Sequence, residues 1–228
     1  MSYNSSSGLY APPTVLVYMF PEYFAERGSR GFRAPYSNVT VKYDSLYTAL
    51  VSASMWYMFY RGVVDLRLTG YGDPSSSWVV VAKRGDVNPS EYGCLSKPLA
   101  EISVGSEVYL YDVITRTLGY SGVDPYQQLL NVVYQMDVRS LTFSAYEIER
   151  YRRHAAWLNQ LLSYYCYSQP HIYRSVISNA LSVAATARAT VKSKKSKKAR
   201  GYDEDYGDYV DMSYDTDSGF DDGGDIDF

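Results

Sequence analysis

The feature that most limits what this chain can fold into lies between Ser106 and Val191. There, apolar residues recur at helical spacing in four consecutive segments. SEVYLYDVITRTLG carries Val108, Tyr111, Ile114 and Leu118 in phase and stops at Gly119. DPYQQLLNVVYQM opens with Asp124 as N-cap and Pro125 at the first helical position, where a missing N–H costs nothing. SAYEIERYRRHAAWLNQLLSYYCY begins with a capping box, Ser144 to Glu147, and sets Ile148, Tyr151, Ala155, Leu158, Leu162 and Tyr165 on one face. Pro170 starts the fourth segment, with Ile172, Val176, Ile177, Leu181 and Ala184 in phase and an expected end near Val191. More than a third of the chain is thereby committed to helix.

The first half reads differently. TVLVYMF (14–20) is a continuous apolar run of the kind a buried strand makes, stopped by Pro21. ERGSRGFRAPYSN (26–38) reads as a loop carrying Arg27, Arg30, Phe32 and Arg33, and VTVKY (39–43) as a short strand. Asp44 or Ser45 is placed to cap a helix ending near Tyr60, with Gly62 where a left-handed residue is wanted. VVDLRL (63–68) and WVVVAKR (78–84) are two strand-like runs joined by TGYGDPSSS, whose Gly, Asp-Pro and Ser content is that of a hairpin connection. A linker with Pro89, Gly93 and Pro98 follows.

This order predicts an α+β, predominantly helical fold: short N-terminal strands and a β-hairpin followed by a bundle of about four helices. The expected organisation is a flexible arm at 1–13, a single globular domain at 14–190, a basic segment at 191–200 and a disordered acidic tail at 201–228. Over residues 40–85 a helix followed by a two-stranded wing resembles the outline of winged-helix domains, by element order alone.

Charge divides the chain as sharply as pattern does. Residues 1–190 carry 16 basic and 14 acidic side chains, residues 191–200 carry six basic ones, and residues 201–228 carry eleven acidic ones. The net charge of −3 thus averages a nearly neutral body with a block-patterned tail. Lys192, Lys194, Lys195, Lys197, Lys198 and Arg200 form the candidate polyanion-binding set, able to neutralise phosphates on nucleic acid or to dock on an anionic membrane surface. The acidic block, tethered within a few residues, is placed to compete with an external polyanion for those cations. With 26 tyrosines against seven phenylalanines, the chain is also rich in a residue favoured at interfaces.

Catalytic chemistry finds little purchase. His154 lies among arginines that depress its pKa, and His171 and Cys166 lack a readable third residue to orient them as a nucleophile pair. The widely spaced Cys94, Cys166, His154 and His171 do not have zinc-site spacing, and the two cysteines are expected buried and reduced. No phosphate-binding glycine motif is present. The acidic tail resembles calcium loops in composition but lacks their closing Glu and flanking helices. The N-terminus has neither the basic nor the apolar region of a signal peptide, and the apolar stretches fall short of a bilayer span.

The expectation is therefore a non-enzymatic, intracellular structural or adaptor protein of virion, matrix or scaffold type, with no cofactor and no metal. Its Tyr-rich body would self-associate or bind protein, while the basic segment meets nucleic acid or anionic membrane, or serves nuclear import. The alternative is a winged-helix-like DNA-binding regulator.

Overall fold

The computed structural model describes residues 11–69, 78–119 and 123–200, the last ten as backbone alone. The connection through GYGDPSSS, most of the N-terminal arm and the acidic tail lie outside the described residues. The last residue positions of the expected arm are not free: Ala11 is buried in the core.

The chain begins with a helix, α1 (Pro13–Met19), where a strand was expected. Pro13 takes the first helical position, and six of the seven residues are buried. An apolar run closed in on every side has no polar face to reveal its period, so strand and helix read alike. A 3-10 turn, Pro21–Tyr23, follows.

The expected loop at 26–38 is largely a strand, β1 (Arg27–Arg33), paired antiparallel with the two-residue β2 (Thr40–Val41) through an irregular register. Gly31 makes the close approach possible, because a Cβ there would lie 1.9 Å from the Val41 carbonyl oxygen.

Helix α2 (Tyr43–Tyr60) is the hub. Twelve of its eighteen residues are buried, and Trp56, Tyr47 and Tyr57 are the largest fully enclosed side chains described. It starts at Tyr43 without a side-chain cap, so the expected cap at Asp44 or Ser45 is corrected. The Ser45 hydroxyl instead accepts from the Glu26 N–H at 2.8 Å, fastening the approach to β1. Gly62 has φ 70°, the left-handed conformation foreseen for it.

β3 (Val64–Thr69) and β4 (Trp78–Lys83) form the expected antiparallel pair. A third strand, β5 (Glu107–Tyr109), joins the other edge of β4. The helix expected from Ser106 therefore begins only at α5 (Leu110–Leu118). The Pro-rich linker is ordered as α3 (Pro89–Tyr92), a 3-10 turn at Cys94–Ser96, and α4 (Lys97–Ala100). Lys83 is enclosed here, and its ammonium donates to the carbonyls of Ile102 at 2.7 Å and Ala100 at 3.3 Å. It satisfies acceptors that the end of α4 leaves open.

Then come α6 (Pro125–Val133), extended by a π-helical turn at Tyr134–Val138, α7 (Ala145–Ser168) and α8 (Pro170–Arg200). In α7 the Ser144–Glu147 capping box is present in both directions, and five of the six residues expected on its inner face are buried. Ile148 is the half-buried sixth. The α+β, predominantly helical architecture holds, with eight helices and two small antiparallel sheets among the described residues. Over residues 40–85 helix α2 is followed by the β3–β4 pair. A groove-reading helix needs a free face, and α2 exposes only Asp44 and Tyr60.

Candidate functional site

Helix α8 is two things in one element. Its first half is core: Ser175, Val176, Asn179, Ala180, Val183 and Ala184 are buried. The face is set by small residues that let the backbone come close to α2 and β4. The larger Ile172 and Ile177 are only half-buried, and Leu181 is exposed. Asn179 accepts from the Val79 N–H at 2.9 Å, joining α8 to the first turn of β4 across 100 residues of sequence.

Beyond Ala184 the helix leaves the body. From 185 to 190 only Ala187 is even half-buried. Arg188 is an anchor here: its guanidinium lies 3.9 Å above the Tyr126 ring, and its Nε donates to Asp124 Oδ1. Asp124 does sit at the N-cap of α6, but its side chain caps nothing and is spent on Arg188.

The helix expected to end near Val191 continues through the basic segment to Arg200. Lys192, Lys194, Lys195, Lys197, Lys198 and Arg200 thus share one helical segment with a rise of about 12 Å. At 100° per residue their positions fall on all sides of the axis. No aliphatic residue larger than Ala199 stands among them.

The residues weighed for catalysis are spread over the Cys94 turn, α7 and α8. Cys94 and Cys166 are both free, but only Cys94 is buried; Cys166 is exposed, against expectation. Burial and the neighbouring Asp137 push the Cys94 thiol well above its ordinary range, which makes it a poor nucleophile. His154 is half-buried, and its pKa is lowered first by that burial and then by the arginines Arg150 and Arg153. His171 is exposed on the first turn of α8. Among the described residues no group of three His, Cys, Asp or Glu side chains is placed to hold a metal. No described helix is long and apolar enough to cross a membrane.

A recess of about 390 Å³ lies between α2, α7 and α8, lined by Ser45, Thr48 and Ser52 of α2, Leu162 and Ser163 of α7, and Tyr173 and Ile177 of α8. None of its lining residues is charged. It offers hydroxyls, a carboxamide and apolar surface, and it presents no acid–base pair.

One polar cluster had no sequence signal. Asp137, in the π-helical turn, accepts from the Thr14 hydroxyl at 2.6 Å and the Cys94 N–H at 3.0 Å. Gly93, at φ 85°, makes room for it, since a Cβ there would meet Thr14 Oγ1 at 2.2 Å. The three partners are separated by 123 and 43 residues, distances no local pattern spans.

No family model matches the chain, and neither a curated protein nor a solved structure is significantly similar to it.

Proposed function

We propose that this is a non-catalytic assembly or adaptor protein of matrix or scaffold type, whose body engages protein and whose α8 arm engages a polyanion. The observation that supports it is the continuity of α8 from the core to Arg200, which carries six basic positions outward on a structured arm. A helix that lies in a membrane surface needs an apolar face, and basic positions on every side of the axis leave none. They suit a phosphate-lined nucleic acid, where each neutralised phosphate adds affinity and salt dependence. The acidic block that follows, with eleven carboxylates, is tethered at high effective concentration and competes for the same cations.

Fluorescence anisotropy with single-stranded oligonucleotides tests this. Replacing the six basic residues by Gln should abolish most binding, because the rest of the body carries only two excess positive charges. Ending the chain at residue 202 should tighten binding at low salt, and the gain should shrink as screening shortens to about 10 Å at 0.1 M. Base sequence should not matter, since phosphate contacts carry no sequence information directly. A six-fold Gln variant that binds as well as the full chain removes the arm from the account.

A further inference from the structure

The outward side of α7 carries a row of which the core explains only Trp157, packed against it. Tyr146, Arg153, Trp157 and Tyr164 fall within about 20° of one line at 100° per residue. Tyr146 is 72% exposed and Tyr164 62%; Arg153 is exposed and Trp157 half-buried. Tyr60, itself 46% exposed, meets Trp157 edge-on at 5.5 Å and widens the patch. Tyr, Trp and Arg are the residues enriched at the centres of protein interfaces.

The row has a reversal symmetry. Tyr146 and Tyr164 stand nine residues either side of Ala155, and Arg153 and Trp157 two residues either side. We propose that this face of α7 pairs with the same face of a second copy, antiparallel, about a two-fold axis beside Ala155. The pairing rests on the assembly reading above and names its surface. It sets Arg153 against the partner's Trp157 and Tyr146 against the partner's Tyr164, each contact made twice. An isologous interface must be self-complementary, and this one matches cation to aromatic face and ring to ring.

A parallel pairing would set Arg153 against Arg153 and is disfavoured by like charge. The nearest acid, Glu149, is engaged by Arg152 on its own helix at 2.9 Å. Arg150 and His154 flank the row, both half-buried, the pKa of His154 being lowered by burial and by Arg150 and Arg153. A single exposed arginine within the row is too little to neutralise a phosphate backbone, so a second copy fits this face better than nucleic acid does.

Size-exclusion chromatography with light scattering on the full chain, across a concentration series, should show a monomer–dimer equilibrium. Arg153→Glu should weaken it about tenfold through loss of the two reciprocal contacts, with the circular dichroism spectrum unchanged. In a Cys166→Ser background, Tyr146→Cys and Tyr164→Cys chains mixed together should form a disulfide-linked heterodimer, while neither should link to itself.

Self-linking of the Tyr146→Cys chain would mean parallel pairing and overturn the proposal. So would a chain that self-associates identically with Arg153→Glu; that result would leave the assembly reading standing on another surface. A chain that stays monomeric, with its tryptophan fluorescence quenched by an oligonucleotide and the quenching lost in Trp157→Phe, would assign the face to nucleic acid instead.

Discussion

Asp137 shows how one half-buried side chain can hold three segments. Its carboxylate gathers α1 through Thr14, the Cys94 turn and the end of α6. Burial raises its pKa above the usual carboxylate range, against the opposing pull of the Thr14 and Cys94 hydrogen bonds. A raised acid disfavours the fold as pH climbs from its unfolded pKa through its folded one. Asp137→Asn keeps the acceptor and cannot ionise, so it should be at least as stable as the parent near neutral pH and lose that part of the pH dependence. Asp137→Ala strands the Thr14 hydroxyl and the Cys94 amide and should cost about 1–3 kcal/mol. Urea denaturation between about pH 4 and about pH 7 separates the two variants, and an Asn variant as damaged as the Ala one would show that the charge itself is needed.

At the scale of elements, α7 is the helix most legible in sequence, because half of it faces water and the boundary between faces can be read. Its capping box follows from two residues three apart and needs nothing distant: Ser144 Oγ accepts from the Glu147 N–H, and Glu147 Oε2 accepts from the Ser144 N–H at 2.8 Å. That bond, and a second donated by Ser144 Oγ at 2.7 Å that an alanine would lose, draw the Glu147 carboxyl below its ordinary range. A depressed acid contributes stability above its unfolded pKa and loses it as pH falls through the folded one. Ser144→Ala should therefore lower stability by about 0.5–2 kcal/mol at neutral pH, with the difference from the parent narrowing in acid. Chemical denaturation midpoints at both pH values check this. Helix α1 is the opposite case. Val15, Leu16 and Val17 are all fully buried, so the run carries no periodicity, and only the packing of α1 against α2 and α7 tells helix from strand.

For the molecule as a whole, α8 marks the boundary between body and arm. Asn179→Ala removes the acceptor for the enclosed Val79 amide and should cost about 1–3 kcal/mol. Deleting residues 191–228 should leave the thermal midpoint unchanged, because among the described side chains of α8 burial ends at Ala184 and those at 188–190 are exposed. Differential scanning calorimetry on the two variants tests the division. A lowered midpoint on truncation would mean that residues beyond 190 contribute to folding, and the arm would then be part of the body.

Sequence alone determined the elements whose signals are local: the capped start of α7, the proline starts of α6 and α8, the β3–β4 pair, the left-handed Gly62, and the clustering of the six basic residues. Each depends on residues a few positions apart, where steric and hydrogen-bonding preferences act directly. Tertiary structure decided the rest. It made α1 a helix, paired the arginine-rich 27–33 with β2, and turned the start of the expected 106–119 helix into the third strand of a sheet. It gave α8 a small-residue face in place of the larger apolar one, and it gathered Thr14, Cys94 and Asp137. In these cases the deciding partner lies far along the chain, so the free energy that selects the conformation is absent until the core has closed around it.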